Sequence, residues 1–298
     1  MIPGEFEYKR PGSKREALAM LAESGGAARP LSGGHSLIPM MKLRMATPEV
    51  LVDIRSLSEL HGVEIGGEIR IGAAVTQHDL IASDALVDAC PIVRETALQI
   101  ADPQVRYCGT IGGNVGNGDP GNDMPALMQC LDADYVAESV DGTREIKARD
   151  FYQGAYFTAL EPNEIITQIK FRRPAKGHGY SYQKLKRKIG DYATAAAAVI
   201  LEVSDGKIKR ASIALTNVAD TPLYAEKAVE IVTGTDLAPD VIDAAVAAAE
   251  AITAPASDGR GTAEYRTKMA GVMVRRALET AMSRADNEKG GLLGWLKR

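Results

Sequence analysis

The sequence feature that most constrains the fold of this chain is a pair of glycine-rich segments about eighty residues apart. The first is Ser32–Ser36 (SGGHS) and the second is Thr110–Asn114 (TIGGN). Adjacent glycines let the backbone approach a ligand closely, and successive N–H groups in such turns form nests that hold anions. Two nests bordered by hydroxyl and amide side chains predict a site for a pyrophosphate with a group on either side, as in a dinucleotide.

The second segment continues into a stretch rich in small polar residues. Asn114, Asn117, Asn122 and Asp123 carry side chains that can hydrogen-bond sugar hydroxyls. The stretch Gly116–Gly121 also matches the glycine spacing of a Rossmann fingerprint, but an Asp-Pro pair inside it breaks the required helix start and puts a carboxylate at the phosphate position. We therefore expect an irregular loop here rather than a Rossmann turn.

Composition and charge argue against several classes of function. The chain has 298 residues and a net charge of −4, which argues against nucleic-acid binding. It contains no apolar run of membrane-spanning length, and its first residues lack a signal-peptide pattern, so we expect a cytoplasmic protein. Three separated cysteines cannot build a four-cysteine iron–sulfur cluster, and the four histidines lack metal-ligand spacing.

Motifs for substrate chemistry are missing as well. The sequence has no Ser-His-Asp order, no paired catalytic carboxylates and no phosphate loop, and His35 has no orienting carboxylate near it in sequence. We therefore predict no catalytic residue and no metal site in this chain. Any redox chemistry requires an organic cofactor.

Residues 1–55 predict a small βαβ-type lobe. Ser13 and Glu16 have capping-box spacing and begin a helix with apolar residues on one face. Short apolar runs predict strands at Ala28–Leu31, just before the first glycine segment, and at Val50–Ile54.

Residues 56–174 predict a middle lobe of mixed structure. Pro103 is expected to stop a helix over Ile92–Ala101, and Asp123 to cap a short helix over Met124–Leu131. The other predicted elements are a strand from Glu68, a helix at Gln77–Ser83, a hairpin at Asp134–Glu138 and Thr143–Ala148, and a strand at Ile165–Phe171.

Arg172–Pro174 predicts a boundary, followed by a C-terminal unit at residues 175–285 and a tail at residues 286–298. In the C-terminal unit strands come first and helices follow, which indicates an α+β arrangement. The strands are predicted at Ser181–Lys186, Ala195–Val203 and Lys207–Leu215, and the helices at Ala225–Val232, Pro239–Ile252 and Ala263–Ala285.

Tyrosines precede the basic run Lys184–Lys188 at every second position, and this alternation predicts a half-buried strand. Lys184 and Lys186 then share one face and could neutralise phosphate or contact an acidic partner. Which of the two faces a cofactor depends on the strand register. Tyr192 could stack on a flat cofactor ring or belong to the core.

Together these segments resemble the flavin-binding medium subunit of the molybdenum hydroxylase family, over residues 1–285. Two of these segments, together with the histidine in Gly-Gly-His-Ser, resemble one branch of that family in particular, the aerobic carbon monoxide dehydrogenases. The segments that carry the resemblance are Gly33–Pro39, Ala101–Gln104, Thr110–Asn114, Asn117–Ala126 and the two branch-specific stretches Lys184–Ala193 and Ala254–Gly261.

The resemblance implies a vanillyl-alcohol-oxidase (PCMH)-type FAD-binding domain followed by a C-terminal antiparallel sheet with a helix bundle. FAD would be the cofactor, its pyrophosphate on the two glycine segments, its hydroxyls on Asp123 and its isoalloxazine against Tyr192. The implied FAD-binding residues are Gly33, Gly34, His35, Ser36, Leu37, Thr110, Ile111, Gly112, Gly113, Asn114, Asn117, Asp123, Ile166, Lys184 and Tyr192.

The resemblance also implies an oxidoreductase subunit with two partners, a small subunit with two [2Fe–2S] clusters and a large molybdenum subunit. Carbon monoxide and water would react at the molybdenum, and this chain would take the electrons on FAD and pass them to a quinone. The assembly would be a dimer of heterotrimers, a heterohexamer. The tail Asn287–Arg298 could contact a partner or the inner face of the cytoplasmic membrane, or be a disordered end.

Three alternatives stay open at the level of sequence. The chain could serve another molybdenum hydroxylase that acts on xanthine, an aldehyde or an N-heterocycle. It could be a stand-alone flavin oxidoreductase, which would need a substrate pocket that we do not find. It could also be an assembly subunit without flavin, which the two glycine segments argue against.

Overall fold

The computed structural model describes residues 2–286 and begins with an α/β lobe. Its three strands form a parallel sheet in the order β1-β3-β2, as the predicted βαβ-type unit requires. Ser13 accepts the N–H of Glu16, but the Glu16 carboxylate accepts the N–H of Gly12, so the capping box is not closed on Ser13 itself. The elements are β1 Glu7–Lys9, α1 Lys14–Glu23, β2 Ala28–Leu31, α2 Leu37–Lys42 and β3 Val50–Asp53.

A second lobe packs six helices against a five-stranded antiparallel sheet of order β4-β5-β10-β6-β7. A short 3₁₀ helix, Ser58–Leu60, leads into it. The strands are β4 Val63–Ile65, β5 Glu68–Gly72, β6 Asp134–Ser139, β7 Gly142–Lys147, a small pair β8 Tyr152–Gly154 and β9 Phe157–Thr158, and β10 Ile165–Arg172. The helices are α3 Gln77–Ala82, α4 Asp84–Ala89, α5 Pro91–Ala97, α6 Pro103–Cys108, α7 Ile111–Gly116 and α8 Asp123–Cys130.

Two helix boundaries predicted for this lobe are wrong. The helix expected over Ile92–Ala101 ends at Ala97, and Pro103 begins the next helix behind its N-cap Asp102. A proline at the first helical position loses no hydrogen bond, so it marks a start here rather than a stop. Asn122 rather than Asp123 is the N-cap of α8, which places the Asp123 carboxylate in the first turn.

The C-terminal part is an antiparallel sheet of order β11-β12-β13-β14, covered on one face by helices. The long helix α11 lies so close to β11 that a Cβ on Gly179 would overlap the carbonyl oxygen of Ala281. Every strand and helix predicted here is present within two residues of its expected bounds. The elements are β11 Gly179–Leu185, β12 Ala195–Ser204, β13 Lys207–Thr216, β14 Leu223–Tyr224, α9 Glu226–Val232, α10 Pro239–Ala251 and α11 Ala263–Asp286.

The sheets and helices meet through buried side chains from distant parts of the sequence. The small residues Ala195–Ala198 are fully buried between the middle lobe and the C-terminal helices. Arg284 of α11 pairs with Glu95 of α5 at 2.7 Å. Over residues 2–286, no helix combines the length and the apolar character needed to cross a membrane. The tail predicted to contact a partner or membrane lies, apart from its first residue, outside the described residues.

Candidate functional site

A cavity of about 1200 Å³ lies where the three parts of the chain meet. It exceeds the roughly 300–1,000 Å³ of typical small-ligand pockets, so it has room for an extended ligand. Fourteen of the fifteen residues predicted to bind a cofactor line its wall, although they come from five separate stretches of sequence. They are Gly33, Gly34, His35, Ser36, Leu37, Thr110, Gly112, Gly113, Asn114, Asn117, Asp123, Ile166, Lys184 and Tyr192.

Ile111 is the predicted site residue that does not line the cavity. Its side chain is fully buried in the core of the middle lobe, and its N–H donates to the carbonyl oxygen of Val75 at 2.9 Å. Its side chain therefore packs the protein interior, because the first turn of α7 places it on the side away from the cavity.

The first glycine segment forms the predicted nest. Within residues 2–286, no N–H group from Gly33 to Leu37 donates a hydrogen bond, and all five residues line the cavity. Gly34 has φ of 75°, a left-handed conformation that favours glycine. A Cβ on Gly33 would lie 2.5 Å from the carbonyl oxygen of Cys108. Five free, successive donors fit the charge of a pyrophosphate.

The second glycine segment is not a nest, contrary to the sequence-based expectation. Thr110 caps α7 and accepts the N–H of Gly113 at 3.0 Å, while the N–H of Gly112 donates to the carbonyl oxygen of Ala73 at 2.9 Å. Gly112 is required for packing, because a Cβ there would lie 2.5 Å from the Cβ of Ala73. The hydroxyls of Thr110 and Ser32 lie 2.8 Å apart and join the two segments.

The asparagines around the cavity have different roles. The Asn114 side-chain oxygen accepts the N–H of Met124 at 3.2 Å, and the Asn122 amide donates to the Asn114 carbonyl oxygen at 2.8 Å. These bonds hold the start of α8 against α7. The Nδ2 atom of Asn117 is buried and has no partner among residues 2–286. Asn117 therefore retains a donor for a ligand.

Asp123 and Lys184 form a buried ion pair at the cavity wall. The Lys184 Nζ lies 2.8 Å from one oxygen of Asp123, and the two side chains are 2% and 5% exposed. The hydroxyl of Tyr182 donates to the other oxygen at 2.6 Å. Burial raises the pKa of Asp123, and the Lys184 ammonium opposes that rise. A ligand hydroxyl at Asp123 would share oxygens that already accept two hydrogen bonds.

The register of β11 decides between the two lysines. Lys184 lines the cavity, whereas Lys186 points its Nζ at the side-chain oxygen of Gln99, 2.6 Å away. Burial lowers the pKa of Lys186, and the neighbouring Lys184 charge adds to the effect. Lys184 is thus the lysine that lies at the cavity wall.

Tyr192 stands at the mouth of the cavity and is 42% exposed. A Cβ on Gly121 would lie 2.7 Å from its ring, so a glycine is needed for the ring to lie there. The preceding residue, Asp191, pairs with Arg187 at 2.8 Å and with Arg260 at 3.5 Å. These ion pairs fix the loop that carries the tyrosine.

Two groups of lining residues were missed from the sequence. Gln77, in the first turn of α3, is 1% exposed, and neither of its amide atoms has a partner among residues 2–286. Nothing in its sequence context distinguishes it from an ordinary helix residue. The second group extends the cavity along the first lobe and includes Gly26, Arg29, Glu49 and Pro162. These residues belong to no recognisable motif, because only the packing of two lobes brings them together.

Two family models match consecutive parts of the chain. The model of the FAD binding domain in molybdopterin dehydrogenase matches residues 4–173. The model of the CO dehydrogenase flavoprotein C-terminal domain matches residues 180–281.

Curated relatives and solved structures match nearly the full chain. A carbon monoxide dehydrogenase medium chain of Afipia carboxidovorans is 64% identical over 96% of this chain and 100% of its own length. One of Hydrogenophaga pseudoflava is 47% identical over 95% and 99%. A chain in the crystal structure of the cyanide-inactivated Cu,Mo-CO dehydrogenase superposes with a TM-score of 0.94 at 64% identity, covering 95% of this chain and 100% of that one. The predicted fold class is confirmed by these matches.

Proposed function

Since the chain belongs to the family of FAD-binding medium chains of molybdopterin dehydrogenases, we propose that its cavity holds FAD and that the chain is an electron-transfer subunit. The observation that carries the proposal is the run of free N–H groups from Gly33 to Leu37 inside a cavity large enough for a dinucleotide. The unpartnered amide of Asn117 on the same wall adds a neutral donor.

The residues of this chain bind and orient the cofactor. The nest at Gly33–Leu37 holds the pyrophosphate by hydrogen bonds from backbone groups that need no rearrangement. Asp123 and Lys184 hold the cofactor hydroxyls from one side, and Tyr192 covers the flavin ring at the cavity mouth. When bound, FAD supplies reversible uptake of electrons, a chemistry that the side chains of this protein lack.

The carbon monoxide branch is favoured over other molybdenum hydroxylases. Two relatives, at 64% and 47% identity over nearly the whole chain, are medium chains of carbon monoxide dehydrogenase. In the proposed enzyme, carbon monoxide and water become carbon dioxide, two protons and two electrons at a molybdenum site in a large partner subunit. A small partner subunit with [2Fe–2S] clusters passes the electrons to this chain, and a quinone receives them.

The assembly and its place in the cell are parts of the same proposal. We expect two copies each of the large, medium and small subunits, as a dimer of heterotrimers in the cytoplasm. The apolar and basic tail beyond residue 286 would give a peripheral contact with the inner membrane face. Deleting the tail should then release the enzyme from vesicles without reducing its flavin content.

The test uses the enzyme purified with its partners. Acid should release FAD from it, and anaerobic carbon monoxide should bleach the flavin absorption, whereas xanthine and aldehydes should not. A complex without flavin would refute the cofactor proposal. A flavin that is bleached by an aldehyde or xanthine and not by carbon monoxide would instead support the alternative of a different molybdenum hydroxylase.

A further inference from the structure

Gln77 is a buried polar side chain on the cavity wall. It is 1% exposed and lies in the first turn of α3, where its backbone N–H donates to the carbonyl oxygen of Gly109 at 2.9 Å. Neither Nε2 nor Oε1 has a hydrogen-bond partner within residues 2–286. Buried side-chain amides are usually hydrogen-bonded, so a carboxamide with both atoms unpaired at a cavity calls for a partner from the ligand.

Other buried amides differ from Gln77 in this respect. Gln129 also has an unpaired Oε1, but its Nε2 donates to the carbonyl oxygen of Ala148 and its side chain does not line the cavity. Asn117 lacks a partner for Nδ2 alone. Among the described residues, Gln77 is the side-chain amide whose donor and acceptor both lack a hydrogen-bond partner. A ligand that pairs with it must therefore present an acceptor and a donor side by side.

The wall around Gln77 indicates which half of a dinucleotide it meets. Gly109, its backbone partner, packs on one side against Gly33 of the nest, where an added Cβ would lie 2.7 Å from the Gly109 Cα. On the other side the wall continues through α6 to Ala101, which lies against Gly190, just before the loop that carries Tyr192. Gln77 thus lies between the pyrophosphate nest and the tyrosine, away from the end of the cavity near Gly26.

We propose that Gln77 recognises the pyrimidine edge of the flavin ring, with Nε2 donating to a ring carbonyl and Oε1 accepting the ring N–H. This inference rests on the proposed function, that the cavity holds FAD. A planar carboxamide matches an edge that presents a carbonyl next to an N–H. A hydrogen bond donated to a ring carbonyl favours the form of the ring that carries more electron density, so Gln77 also raises the reduction potential.

The test compares Gln77→Leu, Gln77→Glu and the control Gln129→Leu in the assembled enzyme. The measurements are FAD content after acid release, the flavin absorption maximum, the midpoint potential, and the affinities of the flavin-depleted enzyme for FAD and for ADP. Gln77→Leu should lower the potential, shift the absorption maximum and weaken FAD binding about tenfold while leaving ADP binding unchanged. Gln77→Glu should lower the potential further, because it places a negative charge at the ring edge. Gln129→Leu should leave the potential and spectrum unchanged.

An unchanged potential and spectrum in both Gln77 variants would overturn the proposal, whatever happens to FAD affinity. A loss of ADP affinity equal to the loss of FAD affinity would also overturn it, because it would place Gln77 at the ADP half of the cofactor rather than at the flavin ring. If Gln77→Leu does not assemble, Gln77→Glu, which is nearly isosteric, decides alone. A wild-type enzyme that contains no FAD would refute the proposed function, which separates that failure from the failure of this inference.

Discussion

The buried pair of Lys184 and Asp123 yields the most quantitative prediction. In Lys184→Met the apolar stem is largely retained, but Asp123 loses the ammonium that lies 2.8 Å from its Oδ2. Removing one partner of a buried ion pair typically costs about 3–5 kcal/mol, because the remaining charge is left in an apolar setting. We therefore expect Lys184→Met to lower the free energy of unfolding of the full chain in urea by about this amount at pH 7.

The free energy of unfolding of Lys184→Met should also depend on pH, in a direction that the pKa of Asp123 determines. Burial already raises the pKa of Asp123, and without the Lys184 charge that opposes the rise it should increase further. A group whose pKa is higher in the folded state contributes stability that is present at low pH and lost as pH rises toward the folded pKa. The unfolding free energy of Lys184→Met should therefore fall as pH rises above the unfolded pKa of Asp123, by up to about 1.4 kcal/mol per pH unit and more steeply than in the unmodified protein.

The double variant Lys184→Met/Asp123→Asn is the control. It removes the carboxylate that the single variant leaves unpaired and keeps an acceptor for the hydroxyl of Tyr182. It should therefore recover most of the lost stability, and the pH dependence that comes from residue 123 should disappear. A single variant that loses less than about 1 kcal/mol, or a double variant no more stable than the single one, would refute the reasoning.

Two further predictions concern the nest and an ion pair in the first lobe. Gly33→Ala should reduce FAD content, because the new Cβ would lie 2.5 Å from the Cys108 carbonyl oxygen. Gly67→Ala is the matched control, because a Cβ there has no other atom within 4 Å. Equal FAD content in the two variants would contradict the nest assignment. Burial raises the pKa of Asp53, but hydrogen bonds from Arg55 and Tyr8 outweigh it and lower the pKa to about 2. Asp53 therefore contributes stability that is present above its unfolded pKa and lost as pH falls toward 2. Urea unfolding should show that Asp53→Asn lowers the free energy of unfolding by about 2 kcal/mol at pH 7 and by less at pH 3.

The local elements of this chain follow largely from short-range patterns. A continuous run of small and apolar residues places the strand β12, and the Asp205–Gly206 pair between β12 and β13 adopts the left-handed turn that such dipeptides favour. The same local signals fail at Pro103, since proline is compatible both with the end of one helix and with the start of the next. The surrounding chain decides which applies.

The sequence by itself determined which residue types were available for the site: the glycines, the small polar side chains and the lysine and tyrosine near residue 190. The tertiary structure decided how they are used. Gly33–Leu37 keep free N–H groups, whereas the N–H groups of Ile111 and Gly112 are taken by Val75 and Ala73, and Gln77 becomes a cavity residue. Free donors, buried pairs and cavity walls depend on groups far apart in sequence, and only the packed fold brings those groups within hydrogen-bonding distance.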